Sequence, residues 1–223
     1  TFIDTPIQHK ADVILGMASV IGMKYKDGVL IAADTLGSFG SMAMVHDLKR
    51  IYKIGKSTLI AASGEYSDFT EMKEKLEKKT NGEECDDDRD SGFDPRELYM
   101  FAQRDLYKHR CDQKPLMITL VVAGYKKGKA FLGQTDFYGT SFENDYVATG
   151  IGAHMAMPLI RKEWKEGMTR EEVERLLERC MKILYLNHCW AGSRYCVGII
   201  NENGSEISEP IEINTTGKWN IIQ

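Results

Sequence analysis

The sequence has no apolar run approaching the roughly 18–20 residues needed to span a bilayer, no block of basic residues and no paired C-x-x-C cysteines. The first lack argues against a membrane helix. The second makes nucleic acid a poor partner, because phosphate recognition needs concentrated positive surface, and the overall charge is −4. The cysteines (Cys85, Cys111, Cys180, Cys189 and Cys196) are odd in number and unpaired in spacing. They read as reduced thiols of an intracellular protein rather than a disulfide framework. There is no internal repeat of 20–50 residues and no Pro/Ser-rich linker, so one domain is expected. Thr1-Phe2-Ile3-Asp4-Thr5-Pro6 shows no basic stretch leading into a hydrophobic one. The absence of an initial Met points to a trimmed N-terminus, which is compatible with a leader removed earlier.

What is present is ordinary for a globular chain of 223 residues: 43% hydrophobic and 28% charged. Residues 1–15 lack periodicity and read as an extended arm. Val20–Tyr25 and Val29–Asp34 read as strands around a Lys26-Asp27-Gly28 hairpin turn. Leu48–Ile54 and Thr58–Ser63 repeat the arrangement around Gly55-Lys56-Ser57. Two helices follow. In Ser67–Lys79, Phe69, Met72 and Leu76 share one face. The second is launched by Asp94 as N-cap, Pro95 at N1 and Glu97 in the first turn. Leu116–Tyr125, Lys129–Thr135 and Tyr146–Thr149 are strand-like, and a helix is expected over Ala153–Trp164. Thr169 and Glu172 form a capping box for another helix, with Val173, Leu176, Leu177, Cys180, Ile183 and Leu184 inward. Tyr195–Ile200 and Glu206–Ile213 close the chain as strands. Strands, two helices, strands, two helices, strands is an α+β order. Two sheets between helix pairs would form a four-layer αββα sandwich.

Several segments then carry a resemblance. Ala18-Ser19-Val20-Ile21-Gly22-Met23-Lys24-Tyr25, Asp27-Gly28-Val29-Leu30-Ile31-Ala32-Ala33-Asp34 and Ala61-Ala62-Ser63-Gly64 are similar to the opening of 20S proteasome beta subunits. Asp34-Thr35-Leu36-Gly37-Ser38-Phe39-Gly40-Ser41 and Ala148-Thr149-Gly150-Ile151-Gly152-Ala153-His154-Met155-Ala156 resemble the non-catalytic beta type-4, or seventh, branch of that family. Pro158-Leu159-Ile160-Arg161 extends the second match, and the likeness covers about Leu15 to Ile213. It implies the N-terminal-nucleophile hydrolase fold. It also implies assembly with other proteasome beta subunits and alpha-ring subunits in a 28-subunit barrel, a cytoplasmic and nuclear location, and no cofactor, nucleic-acid or membrane partner. The expected domain division is an arm over 1–17, a beta-subunit domain over 18–213 and a tail over 214–223; Trp219, Ile221 and Ile222 in the tail are apolar without a core role, so the tail is expected to lie on a neighbour.

Active members of that family use an N-terminal Thr freed by cleavage after Gly, tuned by Asp and Lys, with a Gly N–H as oxyanion donor. Carried over residue by residue, the nucleophile falls on Ala18, the preceding Gly on Met17 and the Lys on Arg50, while Asp34 and Gly64 are kept. A matching Ser, Asp and Ser fall on Ala153, His188 and Ala191. Alanine has no nucleophilic atom, and losing a nucleophile alone costs about a millionfold in turnover. The resemblance therefore implies an inactive subunit with a degenerate site.

Thr1 lies 17 residues before position 18 and reads as part of an inert arm. Ser19 is out of register for the site, since strand alternation turns it to the other face. Asp34 and Arg50 read as a structural ion pair. Asp86, Asp88, Asp90, Asp94 and Glu97 have calcium-loop spacing, but Ser91 stands where the turn needs Gly, and Asp94 is more economically an N-cap. His154 and His188 lack ligand partners at metal-binding spacing. The alternatives to a structural subunit are a free-standing hydrolase of the same fold and a calcium-binding module over residues 86–97.

Overall fold

The computed structural model describes residues 15–83 and 92–214. Thr1, Asp86, Asp88 and Asp90 lie outside these residues, as does the tail beyond Asn214. The elements in chain order are β1 (Leu15–Met17), β2 (Val20–Tyr25), β3 (Gly28–Asp34), β4 (Gly37–Phe39), β5 (Met42–Val45), β6 (Ile51–Ile54) and β7 (Thr58–Glu65). Helices α1 (Tyr66–Glu83) and α2 (Pro95–Cys111) follow, then β8 (Ile118–Lys126), β9 (Lys129–Thr135), β10 (Ser141–Glu143) and β11 (Tyr146–Ala148). Helices α3 (Gly152–Met155), α4 (Met157–Glu163) and α5 (Arg170–Asn187) precede β12 (Arg194–Asn201), β13 (Gly204–Ile207) and β14 (Ile211–Glu212).

Two antiparallel sheets result. One runs β10-β9-β8-β7-β1-β4-β5 with β6 also on β7, and the other runs β11-β2-β3-β12-β13 with β14 also on β12. Strand alternation sorts the side chains into three apolar layers. From β3, Val29, Ile31 and Ala33 point between the sheets, where they meet Leu59 and Ala61 of β7. Leu30 and Ala32 face the other way, into a layer with Val173, Leu177, Cys180 and Leu184 of α5. From β7, Ile60 and Ala62 pack with Phe69, Met72 and Leu76 of α1 and with Leu98, Ala102 and Leu106 of α2. The architecture is a four-layer αββα sandwich, as the order of elements implies. Gly198 lets the sheets approach: a Cβ there would lie 3.0–3.1 Å from Ile51, Ile31 and Leu59.

Local signals set the helix starts. Asp94 accepts from the Arg96 N–H at 2.9 Å while Glu97 accepts from the Asp94 N–H at 2.9 Å. Thr169 and Glu172 do the same for α5, each cap being worth about 1 kcal/mol.

The structure also departs from the sequence reading. Leu15–Met17, placed in the arm above, form a strand inside the larger sheet. The expected helix over Ala153–Trp164 is divided into α3 and α4, because Pro158 has no N–H to donate to the turn before it. The expected strand over Glu206–Ile213 is divided into β13 and β14. There Ser208 leaves the run by bonding Val197 through both its N–H and its hydroxyl, and Pro210 has no N–H for a ladder.

Candidate functional site

β1 belongs to the larger sheet and β2 to the smaller, so Ala18 and Ser19 are the step by which the backbone passes between sheets. Ala18 is buried and helps line a pocket of about 430 Å³ together with Met17, Gly64, Ile151, His188 and Trp190. Ser19 is not among its lining residues. The Ser19 hydroxyl instead accepts from the Gly152 N–H at 2.7 Å. Beside it, the Val20 N–H donates to the Thr149 hydroxyl at 2.9 Å.

Arg50 and Asp34 are both almost fully buried and form an ion pair through Nη1 and Oδ1. The Nη donors reach three further backbone segments, while Nε is buried without a hydrogen-bond partner among the described residues. Nη1 also donates to the Asp34 carbonyl at 3.3 Å. Nη2 donates to the carbonyls of Ala18 at 2.7 Å, Ala62 at 2.9 Å and Ser19 at 3.3 Å. Only the planar fork of arginine spans these acceptors at once; a lysine offers its donors from one point. Asp34 Oδ2 accepts from the Gly192 N–H at 2.7 Å. Burial pushes the Asp34 carboxyl upward, against the opposing pull of Arg50 and the Gly192 N–H. Burial pushes Arg50 downward, opposed by Asp34; a guanidinium starts so high that it keeps its charge.

Gly64 sits in β7 with Met17 opposite on one side and Ile118 on the other. Its φ is +110°, and a Cβ would fall 2.2 Å from the Met117 carbonyl oxygen. Only glycine fits. β1 fills the slot between β7 and β4, pairing with both, and Trp190 lies against Gly16, 3.4 Å from where a Cβ would be. His188, the C-cap of α5, has its imidazole pushed below the ordinary value by burial, with the Asp34 charge pulling the other way. Its Nδ1 is buried with no hydrogen-bond partner among the described residues.

The resemblance thus places Ala18, Gly64 and His188 on one pocket, and Asp34 and Arg50 directly behind it. Ala153 is an exposed residue of α3 and Ala191 lies in the turn after α5, neither lining the pocket. Gly192, which donates to Asp34 from 158 positions away, and Trp190, which covers Gly16, are residues the sequence reading passed over. The glycine next to Ala191 was the one available signal.

This arrangement cannot perform nucleophilic peptide hydrolysis at position 18. The side chain is a methyl group, and the nitrogen is a peptide N in a continuous backbone. The nearest cation cannot accept a proton, and both carboxylate oxygens of Asp34 are engaged. Ser63 and Thr119 bring hydroxyls to the pocket, but neither bonds a basic side chain among the described residues. No group of three or more His, Cys, Asp or Glu side chains among them is placed to hold a metal ion. No helix there is long and apolar enough to cross a membrane.

Comparison with known proteins gives a match to the family model described as proteasome subunit, over residues 16–200. Among curated proteins, the chain is 34% identical to a proteasome subunit beta type-4 from Xenopus laevis, over 97% of this chain and 89% of that protein. It is 40% identical to the subunit of the same name from Arabidopsis thaliana, over 88% and 80%. For that of Dictyostelium discoideum the identity is 38%, over 96% and 82%.

Proposed function

The chain belongs to the proteasome subunit family, and from that premise we propose that it is a non-catalytic beta type-4 subunit of the 20S core. It is an inactive member of a complex that degrades proteins by threonine-type peptide hydrolysis, and it assembles with other proteasome subunits. The observation that carries this reading is Ala18: a methyl group stands at the nucleophile position, inside an unbroken backbone that Arg50 holds through its carbonyl. The relatives named beta type-4 support the choice of subunit. The site residues Ala18, Asp34, Arg50 and Gly64 act, in this reading, as scaffold. Asp34 and Arg50 join the two sheets, and Gly64 permits the close passage of β8. The finer assembly is two beta rings stacked between alpha rings, in cytoplasm and nucleus, with this subunit as one wall of a beta ring.

Purification of the tagged chain from its own cells, followed by electron microscopy and inhibitor labelling, tests this. Barrels with sevenfold rings containing the chain, and no adduct on it from an N-terminal-threonine-directed inhibitor, are the expected result. Recovery of the chain without other subunits, or an adduct on it, would overturn the reading.

A further inference from the structure

Asparagine is followed by glycine at Asn81-Gly82 and again at Asn203-Gly204. Such a step is chemically weak, because a glycine nitrogen has no Cβ beside it to hinder its approach to the neighbouring side-chain amide. The fold treats the two steps differently. Asn81 and Gly82 lie inside α1, where each N–H is tied to a carbonyl one turn back. Asn203 is exposed in the Glu202-Asn203 turn between β12 and β13, with Asn201 opposite Gly204.

The other asparagines among the described residues are guarded. The Asn144 amide oxygen accepts from the Asp145 N–H at 2.8 Å, and Asn187 Nδ2 donates to the Ile183 carbonyl at 2.8 Å. The Asn201 amide oxygen accepts from the Asn203 N–H at 2.9 Å, and its Nδ2 donates to the Tyr25 hydroxyl at 3.3 Å. These three, and Asn214, are each followed by a residue with a side chain. The Asn203 side chain has no hydrogen-bond partner among the described residues. A Cβ on Gly204 would meet nothing within 4 Å, so the space beside the reacting groups is open.

We propose that Asn203 is a site of spontaneous deamidation, at which the chain gains an aspartate or isoaspartate with age. The Gly204 nitrogen gives its proton to hydroxide and bonds Cγ of Asn203; the side-chain nitrogen takes a proton from water and leaves as ammonia. Water then opens the succinimide ring. Opening at Cγ gives aspartate, opening at the backbone carbonyl gives isoaspartate, and nothing is oxidised or reduced. Either product adds a negative charge beside Glu202. Isoaspartate also inserts a methylene into the backbone of the turn. Turn length fixes the register of a hairpin, so this product loosens β13 from β12. β12 keeps its pairing with β3 from Tyr195 to Asn201. The inference does not depend on the assembly proposed above.

The test purifies the chain from its own cells, in the assembly that holds it, and ages it in mildly alkaline buffer. Samples are digested with pepsin in acid, where the ring forms slowly, and mapped by mass spectrometry. The Asn203 peptide is expected to gain the mass of an NH2-to-OH exchange and to split into aspartate and isoaspartate forms. The rate should exceed that at Asn81 by about tenfold or more, the factor for a helix-opening cost of ~1.4 kcal/mol. Equal rates at the two steps overturn the proposal, as does an unchanged Asn203 over a period in which the denatured chain reacts at both. In Asn203→Gln, whose longer side chain closes a ring slowly, the mass gain in that peptide should vanish; its persistence overturns the assignment. Hydrogen exchange in isoaspartate-bearing chains should rise over Gly204–Ile207 and stay slow in β12. No rise there overturns the loosening of β13.

Discussion

Arg50 donates through Nη2 to the backbone carbonyl of Ala18 at 2.7 Å. The residue at the position of the basic group therefore holds the backbone at the position of the nucleophile, while its Nη1 pairs with Asp34. Two positions that belong to chemistry in active relatives are joined here by a fixed structural bond.

Restoring the hydroxyl alone should restore nothing. In Ala18→Thr, Met17 still precedes the new side chain, so no free α-amine is produced, and Arg50 still cannot take a proton. The expected outcome is a chain of uncut mass with no peptidase activity on short fluorogenic peptides. Cleavage after Met17 in the mass spectrum, or hydrolysis above the unmodified chain, would contradict the account of the site.

The buried pair should matter for stability. Asp34→Asn leaves a buried guanidinium without its counter-charge, a loss of about 3–5 kcal/mol. Arg50→Lys keeps the charge but gives up the fork to Ala18 and Ala62, an expected loss of about 1–3 kcal/mol. Denaturant unfolding measures both. A change below about 1 kcal/mol in Asp34→Asn would remove the pair from any structural role.

Gly64→Ala tests the reason for the retained glycine. The positive φ alone costs about 1–3 kcal/mol for a residue with a Cβ, and the added carbon collides with the Met117 carbonyl. A clearly lowered unfolding temperature is expected. A neutral result would mean that β8 moves aside easily.

His188 gives a pH dependence of known sign. Its folded-state value is depressed below the ordinary 6.5 by burial, so the unfolded chain takes up the proton first as pH falls. Its contribution to stability is intact above 6.5 and is lost as pH drops through 6.5 toward the folded value. Unfolding midpoints at about pH 7.5 and about pH 5.5 should differ more in the natural chain than in His188→Gln. Equal differences would contradict the assignment.

The parts of the fold with strong local signals were legible in the sequence. The β2–β3 hairpin shows Asp27-Gly28, and α2 and α5 show their caps at Asp94 and Thr169. β1, β4, β5 and β10 were not: each is three or four residues long, too short to show alternation, although β6 and β11 of the same length were read within the runs Leu48–Ile54 and Tyr146–Thr149. At the site, Ala18, Asp34, Arg50 and Gly64 were placed by motif order. The contact of Gly192 with Asp34 was invisible, since it depends on a loop and the end of β3 brought together by the whole fold. Trp190 over Gly16 was hidden for the same reason, as was the position of Ala153 away from the pocket.

The placement of β1 sets a boundary for processing. The ladder that attaches the β4–β5 hairpin to the body of its sheet passes through three residues, Leu15 to Met17. A protease shortening the chain from its front can advance as far as residue 14 without touching that ladder. Three residues further, it would free the hairpin's inner edge. The cut that arms a catalytic relative would, in this chain, loosen one end of its own sheet.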